Sequence, residues 1–330
     1  MKKEKKKGRG WKIFLGILAA LALFWTVINL IPPKKVMENN PFLKEEKALP
    51  MIAAHRGGGV SNPENTLMAF RAAVNEFKID ICETDLWMTA DGHLVYSHDG
   101  KINRMACPEG TPDVVIAEHT LAELRSYNMG YNFADPKTGE YPYRNATEEE
   151  QLAKGLKILE FEELLAEFYD THKDLLFIIE IKNGGDTGRE AARIIDKALT
   201  ERFPDYRQNV VIGTFHPEIE QDLAENHPNL MRGASTSGAA KFVVTQMLGV
   251  NLFSGADFSC LQIPMEYNIK GIRLDLTWKT YIDRAHRRNI AVQFWTINDA
   301  DDMRFLIERG ADAIMTDDPQ LLMSVLEEYR

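Results

Sequence analysis

Eight short apolar runs, separated by stretches with helical spacing, constrain this chain more than any other feature. They are Met51–Ala54, Ile79–Trp87, Leu175–Ile181, Val210–Phe215, Leu230–Ala234, Phe258–Ile263, Ala291–Ile297 and Ala311–Met315. Runs of this length read as buried strands. Between them Leu67, Phe70, Val74 and Phe77 keep a helical spacing, as do Leu164, Leu165 and Phe168. Asp318-Pro319 is a helix cap followed by proline at the first helical position, which opens the last helix. Eight strand–helix units predict an α/β fold, a TIM (β/α)8 barrel over residues 51–330, with its chemistry at the C-terminal ends of the strands.

One run breaks the alternation. Leu94–Ser97 follows the second strand after only Asp91-Gly92, too short a link for a parallel crossover, and Asp-Gly is a preferred two-residue hairpin turn. The run is therefore expected to fold back antiparallel. If Ala90 faces His93, Asp85 lies opposite His98. The stretch from about residue 100 to 157 is too long for an ordinary loop and reads as a small insertion over the barrel mouth.

Ahead of the barrel, Ile13 to Ile31 is apolar apart from Thr26 and Asn29. As a helix it would be about 28 Å long, close to the thickness of a bilayer's hydrocarbon core. Residues 1–12 carry seven basic side chains against Glu4, so the positive-inside rule puts the N-terminus in the cytoplasm and the barrel outside, as a single-pass protein of the cell membrane. A cleaved signal peptide is the rival. Leu23-Phe24-Trp25 stand where a cleavage site needs small residues, which favours an uncleaved anchor. Residues 32–50, with four prolines, read as a tether. The whole chain has a net charge of −10; without its first 33 residues it holds 32 basic and 48 acidic residues, a net −16. Such a surface repels a phosphate backbone, so no nucleic-acid partner is expected. Cys82, Cys107 and Cys260 have no metal-site or disulfide spacing and read as isolated buried thiols.

The polar residues at strand ends suggest the chemistry. Glu83 and Asp85 share one face of the second strand, and Glu180 closes the third. Three carboxylates of this kind suit one hard divalent cation, Ca2+ or Mg2+, rather than zinc. Arg56 and Lys182 supply fixed positive charge for a phosphodiester, and His55 and His98 can act as a base and acid pair near neutral pH. Each feature alone also fits a structural role, such as a strand-end salt bridge between Glu180 and Lys182. No nucleophile motif of the Ser-His-Asp or Cys-His type is present.

Together the motifs His55-Arg56-Gly57, Pro63-Glu64-Asn65-Thr66, Glu83-Thr84-Asp85, Asp91-Gly92, His98-Asp99, Glu180-Ile181-Lys182, Phe294-Trp295-Thr296-Ile297-Asn298 and Thr316-Asp317-Asp318-Pro319 resemble the glycerophosphodiester phosphodiesterase family in order and spacing. The resemblance runs from Met51 to about Leu322. It implies a TIM barrel with an insertion after His98, and hydrolysis of small-molecule or lipid-derived glycerophosphodiesters to glycerol 3-phosphate and an alcohol. It also implies Glu83, Asp85 and Glu180 as metal ligands, and His55 and His98 as the acid/base pair. Arg56 and Lys182 become phosphate contacts, Trp295 a wall for the glycerol moiety, and Glu64 and Asn65 supports behind these groups. Thr214-Phe215, where the family often has Ser-Phe, and Asn183-Gly184-Gly185 after the Glu-x-Lys are mild departures. Alternatives are a lysophospholipase D, a hydrolase of glycerol-phosphate wall polymer, or a non-catalytic binding domain. Six other histidines fit no motif; His216, just past a strand end, is the nearest to one.

Overall fold

The computed structural model describes residues 7–269 and 271–330. Lys2, Lys3, Lys5 and Lys6 of the basic N-terminus lie outside the described residues. The apolar segment forms one helix, Lys7–Leu30, a few residues longer at its start than its hydrophobicity alone suggests. Among the described residues eleven strands follow: β1 (Met51–Ala54), β2 (Ile81–Met88), β3 (Leu94–Tyr96), β4 (Leu176–Ile181), β5 (Val210–Gly213), β6 (Met231–Arg232), β7 (Cys260–Ile263), β8 (Glu266–Ile269), β9 (Ile272–Asp275), β10 (Ala291–Phe294) and β11 (Ala313–Thr316).

Eight of them form a parallel sheet in the order β6-β5-β4-β2-β1-β11-β10-β7. The ends meet. Ser259 N–H donates to the Arg232 carbonyl and Ala234 N–H to the Cys260 carbonyl, each at 2.8 Å. The sheet is thus a TIM barrel, as the eight-run pattern implied. The closing strand β6 is two residues long and Gly233 extends its pairing to Cys260; a Cβ at Gly233 would stand 2.7 Å from Gln262 Oε1.

Alternation along each strand sorts the interior into layers. The lower interior is apolar: Ala53, Ile81, Ile178, Val211, Cys260, Ala291 and Ala313 pack into one buried cluster. Phe42, fully buried, joins that cluster from below. The segment read as a tether is therefore docked on the barrel floor. Asn40 Nδ2 donates to the carbonyls of Ser259 and Asn289 at 2.8 Å, and Val36 N–H donates to that of Arg288 at 2.8 Å.

β3 does fold back on β2, but one residue out of the expected register. Leu86 pairs with Tyr96, Trp87 with Val95 and Met88 with Leu94, so Ser97 rather than His98 faces Asp85. The connection is three residues long. Thr89 N–H donates to the His93 carbonyl, and Gly92 adopts φ +85°. The cause lies in the insertion. Ala90 N–H donates to the His119 carbonyl and Asp91 Oδ1 accepts from Leu121 N–H, which pulls both residues out of the ladder. The insertion has its own core around Ile102, Cys107, Ile116, Leu124 and Met129. A second hairpin, β8–β9, follows β7 and was not anticipated from the sequence. All three cysteines are buried and free.

Candidate active site

The upper interior, at the C-terminal ends of the strands, is polar where the lower one is apolar. β1 ends in a tight turn at His55–Gly57. Arg56 takes φ +55° there, and the positive φ of Gly57 and Gly58 is where glycine is needed. A Cβ on Gly58 would stand 2.8 Å from the Pro319 ring, so this glycine lets β1 and the last helix close over the rim.

β2 brings up Glu83 and Asp85, which are 5% and 1% exposed. β4 brings up Glu180, directly beside Asp85 in the parallel register. Lys182 Nζ lies 2.9 Å from both Asp85 Oδ1 and Glu180 Oε1. Arg56 N–H donates to Glu83 Oε2 at 3.0 Å, while its Nε stands 3.5 Å from Asp85 Oδ2. Neither that Nε nor that Oδ2 has a hydrogen-bond partner, although both are buried.

Burial, and then the neighbouring Asp85 charge, pushes the Glu83 carboxyl up to about 8. Burial also raises Glu180, against the pull of Lys182. Three buried or half-buried carboxyls thus face one lysine and one arginine, and burial together with the Asp85 charge favours the protonated form of Glu83.

His55, at the end of β1 beside β2, is set from β11 on its other side. Its Nδ1 is 2.6 Å from Asp317 Oδ1, and its Nε2 is 3.9 Å from Glu83 Oε2. Burial alone would lower the His55 pKa; the hydrogen bond to Asp317 and the Glu83 charge outweigh it, and the net shift is upward. Asn298 holds Asp317 in turn, its Nδ2 donating to Asp317 Oδ2 at 2.7 Å and its Oδ1 accepting from Asp317 N–H at 2.9 Å. With Asp317 taking the Nδ1 proton, Nε2 is the ring nitrogen turned to the acids.

His98 stands on the side of Glu180, whose pKa its charge helps to lower. Its Nδ1 lies 2.8 Å from Asp99 Oδ1. Asp99 Oδ2 accepts from Arg104 Nε at 2.7 Å, and Arg104 Nη2 reaches Glu64 Oε1 at 2.6 Å. Arg56 Nη1 is 3.4 Å from the same Glu64 oxygen. Asn65 is buried at φ +56°, with both side-chain polar atoms unpartnered. Trp295 follows β10 and is 36% exposed at the mouth. His216 Nε2 donates to the Lys182 carbonyl at 3.0 Å and so braces the turn after β4 from outside. His93, His227 and His286 are engaged by Glu160, Asp196 and Asp312.

Sequence reasoning assigned no role to Asp317, Asn298, Asp99 or Arg104. The first three lie in the quoted motifs, and an acid directly after the last strand was a usable signal for Asp317. Arg104 had none, because it comes from the insertion. A cavity of about 430 Å3 lies elsewhere, between the β2–β3 hairpin and the helix Gly185–Glu201, and involves none of these acids.

A model of the glycerophosphoryl diester phosphodiesterase family matches residues 55–321. The chain belongs to that family. The match starts at His55 and ends just beyond Asp317, so it takes in every residue of the site. A glycerophosphodiester phosphodiesterase of Caldanaerobacter subterraneus is 27% identical over 278 residues, covering 84% of this chain and 98% of the relative. One from Bacillus subtilis is 26% identical, covering 94% and 98%. Among solved structures, an Oleispira antarctica phosphodiesterase in complex with the product sn-glycerol-3-phosphate superposes with a TM-score of 0.61 at 21% identity, over 84% of this chain and 97% of that one. A Silicibacter pomeroyi structure described as a glycerophosphoryl diester phosphodiesterase gives 0.67 at 18%, over 88% and 98%. The chain is thus an enzyme of the phosphodiester hydrolase class on a TIM barrel.

Proposed function

We propose that this protein hydrolyses glycerophosphodiesters to glycerol 3-phosphate and an alcohol, with one divalent cation, Ca2+ or Mg2+, as cofactor. The observation that carries the metal reading is the surplus of buried carboxylate. Asp85 Oδ2 is buried without a hydrogen-bond partner, and Glu83 is raised to about 8. The donor set of Glu83, Asp85 and Glu180 is all oxygen and fits a hard cation. Among the described residues no three acids or histidines form a ready-made cage, and Lys182 Nζ bridges two of the three acids. A cation held by Glu83, Asp85 and Glu180 would supply a Lewis acid for a phosphodiester oxygen. Lys182 and Arg56 would supply the fixed positive charge that contacts the phosphate.

His55 acts as the general base through Nε2, held in that tautomer by Asp317, and His98 acts as the general acid, held by Asp99. Trp295 walls the glycerol moiety at the mouth. Glu64 and Asn65 steady Arg56, Glu64 through its side chain and Asn65 by donating its N–H to the Arg56 carbonyl at 2.8 Å. The relative with glycerol 3-phosphate as its product supports the choice of product.

We read the apolar helix as an uncleaved membrane anchor with the barrel outside the cytoplasm. The support is its span of 21 residues, Gly10–Leu30, at a mean hydropathy of 2.3. The test of function is a product assay on glycerophosphocholine with and without chelator. Glycerol 3-phosphate and choline should appear and be lost on metal removal. Absence of glycerol 3-phosphate overturns the reaction, and full turnover of metal-stripped protein overturns the cofactor.

A further inference from the structure

The N-terminal helix does not hang free of the barrel. Its last turns are seated on the loop after the helix Thr236–Met247. Trp25 Nε1 donates to the Leu248 carbonyl at 3.3 Å, and Asn29 Nδ2 donates to the Gly249 carbonyl at 2.8 Å. A Cβ on Gly249 would meet the indole at 2.6 Å, so this glycine makes room for the seat. Arg287 completes it by donating to the Asn29 carbonyl.

Beside that seat the barrel exposes apolar side chains. Val244, Met247 and Leu248 share one helix face at i, i+3 and i+4, and Phe253 lies in the next turn. Leu248 is 64% exposed and Phe253 56%. This stripe continues the surface of the apolar helix itself, only 6% of whose most hydrophobic window is buried. Exposed Lys241 lies in the stripe's own helix, Lys34 and Lys35 follow the apolar helix, and exposed Arg287 reaches its Asn29 carbonyl. The nearby acids Asp257 and Asp283 are taken up by Arg232 and Lys279. An apolar stripe with a basic rim fits an anionic headgroup layer.

We propose that Val244, Met247, Leu248 and Phe253 form a second membrane contact, bedded among lipid headgroups beside the anchor. This rests on the anchor reading above. The occupant is the lipid surface because the stripe is tied to a helix whose length and composition suit a bilayer. The consequence is orientation. The helix Thr236–Met247 runs back from the end of β6 to the start of β7, so the stripe lies at the floor end of the barrel. His55, Asp85 and Glu180 lie at the opposite end. The barrel then stands floor-down with its mouth turned from the bilayer, toward substrates arriving through water.

The test uses the full chain in vesicles of phosphatidylcholine and phosphatidylglycerol. An environment-sensitive fluorophore is placed on one introduced cysteine at a time: Leu18→Cys in the helix, Met247→Cys and Phe253→Cys in the stripe, and Trp278→Cys on the exposed surface at the mouth end. The native cysteines are buried and compete little for label. Nitroxide deep in the lipid tails should quench the Leu18 probe. Nitroxide near the headgroups should quench the Met247 and Phe253 probes several-fold more than the Trp278 probe. If Leu18 is quenched and the stripe is not, the docking proposal falls and the anchor stands. If Leu18 is not quenched, both fall. If the stripe probes are shielded from water but not from one another's chains, with dimers in detergent, the stripe belongs to a second copy and the proposal is overturned.

Discussion

At the scale of single residues, the site turns on negative charge held in a largely dry volume. Glu83 is raised from 4.5 to about 8, so its protonated form favours the folded state. The stability this contributes is complete below about 4.5 and is lost as pH rises through about 8. His55 is also raised, from 6.5, and acts in the same sense, its contribution present below 6.5 and lost above its folded pKa. Metal-free protein should therefore lose Tm as pH climbs from about 4.5 to about 8, followed by thermal melts across a buffer series. Glu83→Gln, with no charge to bury, should flatten that fall. Saturating Ca2+ or Mg2+ should flatten it in the parent by holding Glu83 ionised, and should do nothing for the variant if Glu83 is a ligand. A Tm that rises across this window without metal would contradict the charge assignment. Most of these residues were legible in the sequence because strand alternation puts Glu83 and Asp85 on one face. Asp317 was harder to see, since its value comes from where β11 sits relative to β1, a neighbour relation that only barrel closure creates.

At the scale of elements, the insertion does more than cover the mouth. It sets the β2–β3 register through the Ala90 and Asp91 bonds, and it supplies Arg104, which ties Asp99 to Glu64. Arg104→Ala should leave the fold intact and lower kcat about 10–100-fold, because His98 loses the partner that fixes Asp99, with KM less affected. Arg104→Lys should recover part of the loss. Equal changes in kcat and thermal stability would instead make Arg104 a mere fold contact. The one-residue error in the hairpin has the same origin. Asp-Gly correctly marked a turn, but the turn type was decided by the His119 and Leu121 backbone, some thirty residues away in the chain. Prolines and charges likewise made residues 32–50 look like a tether, whereas Phe42 fills the barrel floor. Phe42→Ala should cost about 3–5 kcal/mol in denaturant unfolding, the range for a fully buried phenylalanine. A loss below about 1 kcal/mol, typical of surface positions, would mean that the floor segment is a loose strap.

At the scale of the whole molecule, the candidate site and the seat of the apolar helix lie at opposite ends of the barrel. The eight-run pattern in the sequence was enough for the barrel, and the apolar helix was plain from its length. How the two join was not legible, because the seat of Trp25 and Asn29 on Leu248 and Gly249 spans more than two hundred residues. That seat bears on processing. Cleavage after the apolar segment would strip the barrel of Trp25 and Asn29 and expose the loop they cover. The residues that follow the small Ala19, Ala20 and Ala22 are Leu23-Phe24-Trp25, a poor cleavage site. Seven basic residues before the apolar segment Ile13–Ile31 outnumber Lys34 and Lys35 after it, a bias that puts the N-terminus of a first helix in the cytoplasm. We therefore predict that protease added to intact protoplasts degrades the barrel, and that the mature chain begins at or near Met1. N-terminal sequencing and an immunoblot of the protected fraction check the two halves separately. A mature N-terminus beyond residue 20 would make the helix a signal peptide and the enzyme a secreted one. A barrel that survives protease until the cells are lysed would place it in the cytoplasm and reverse the topology.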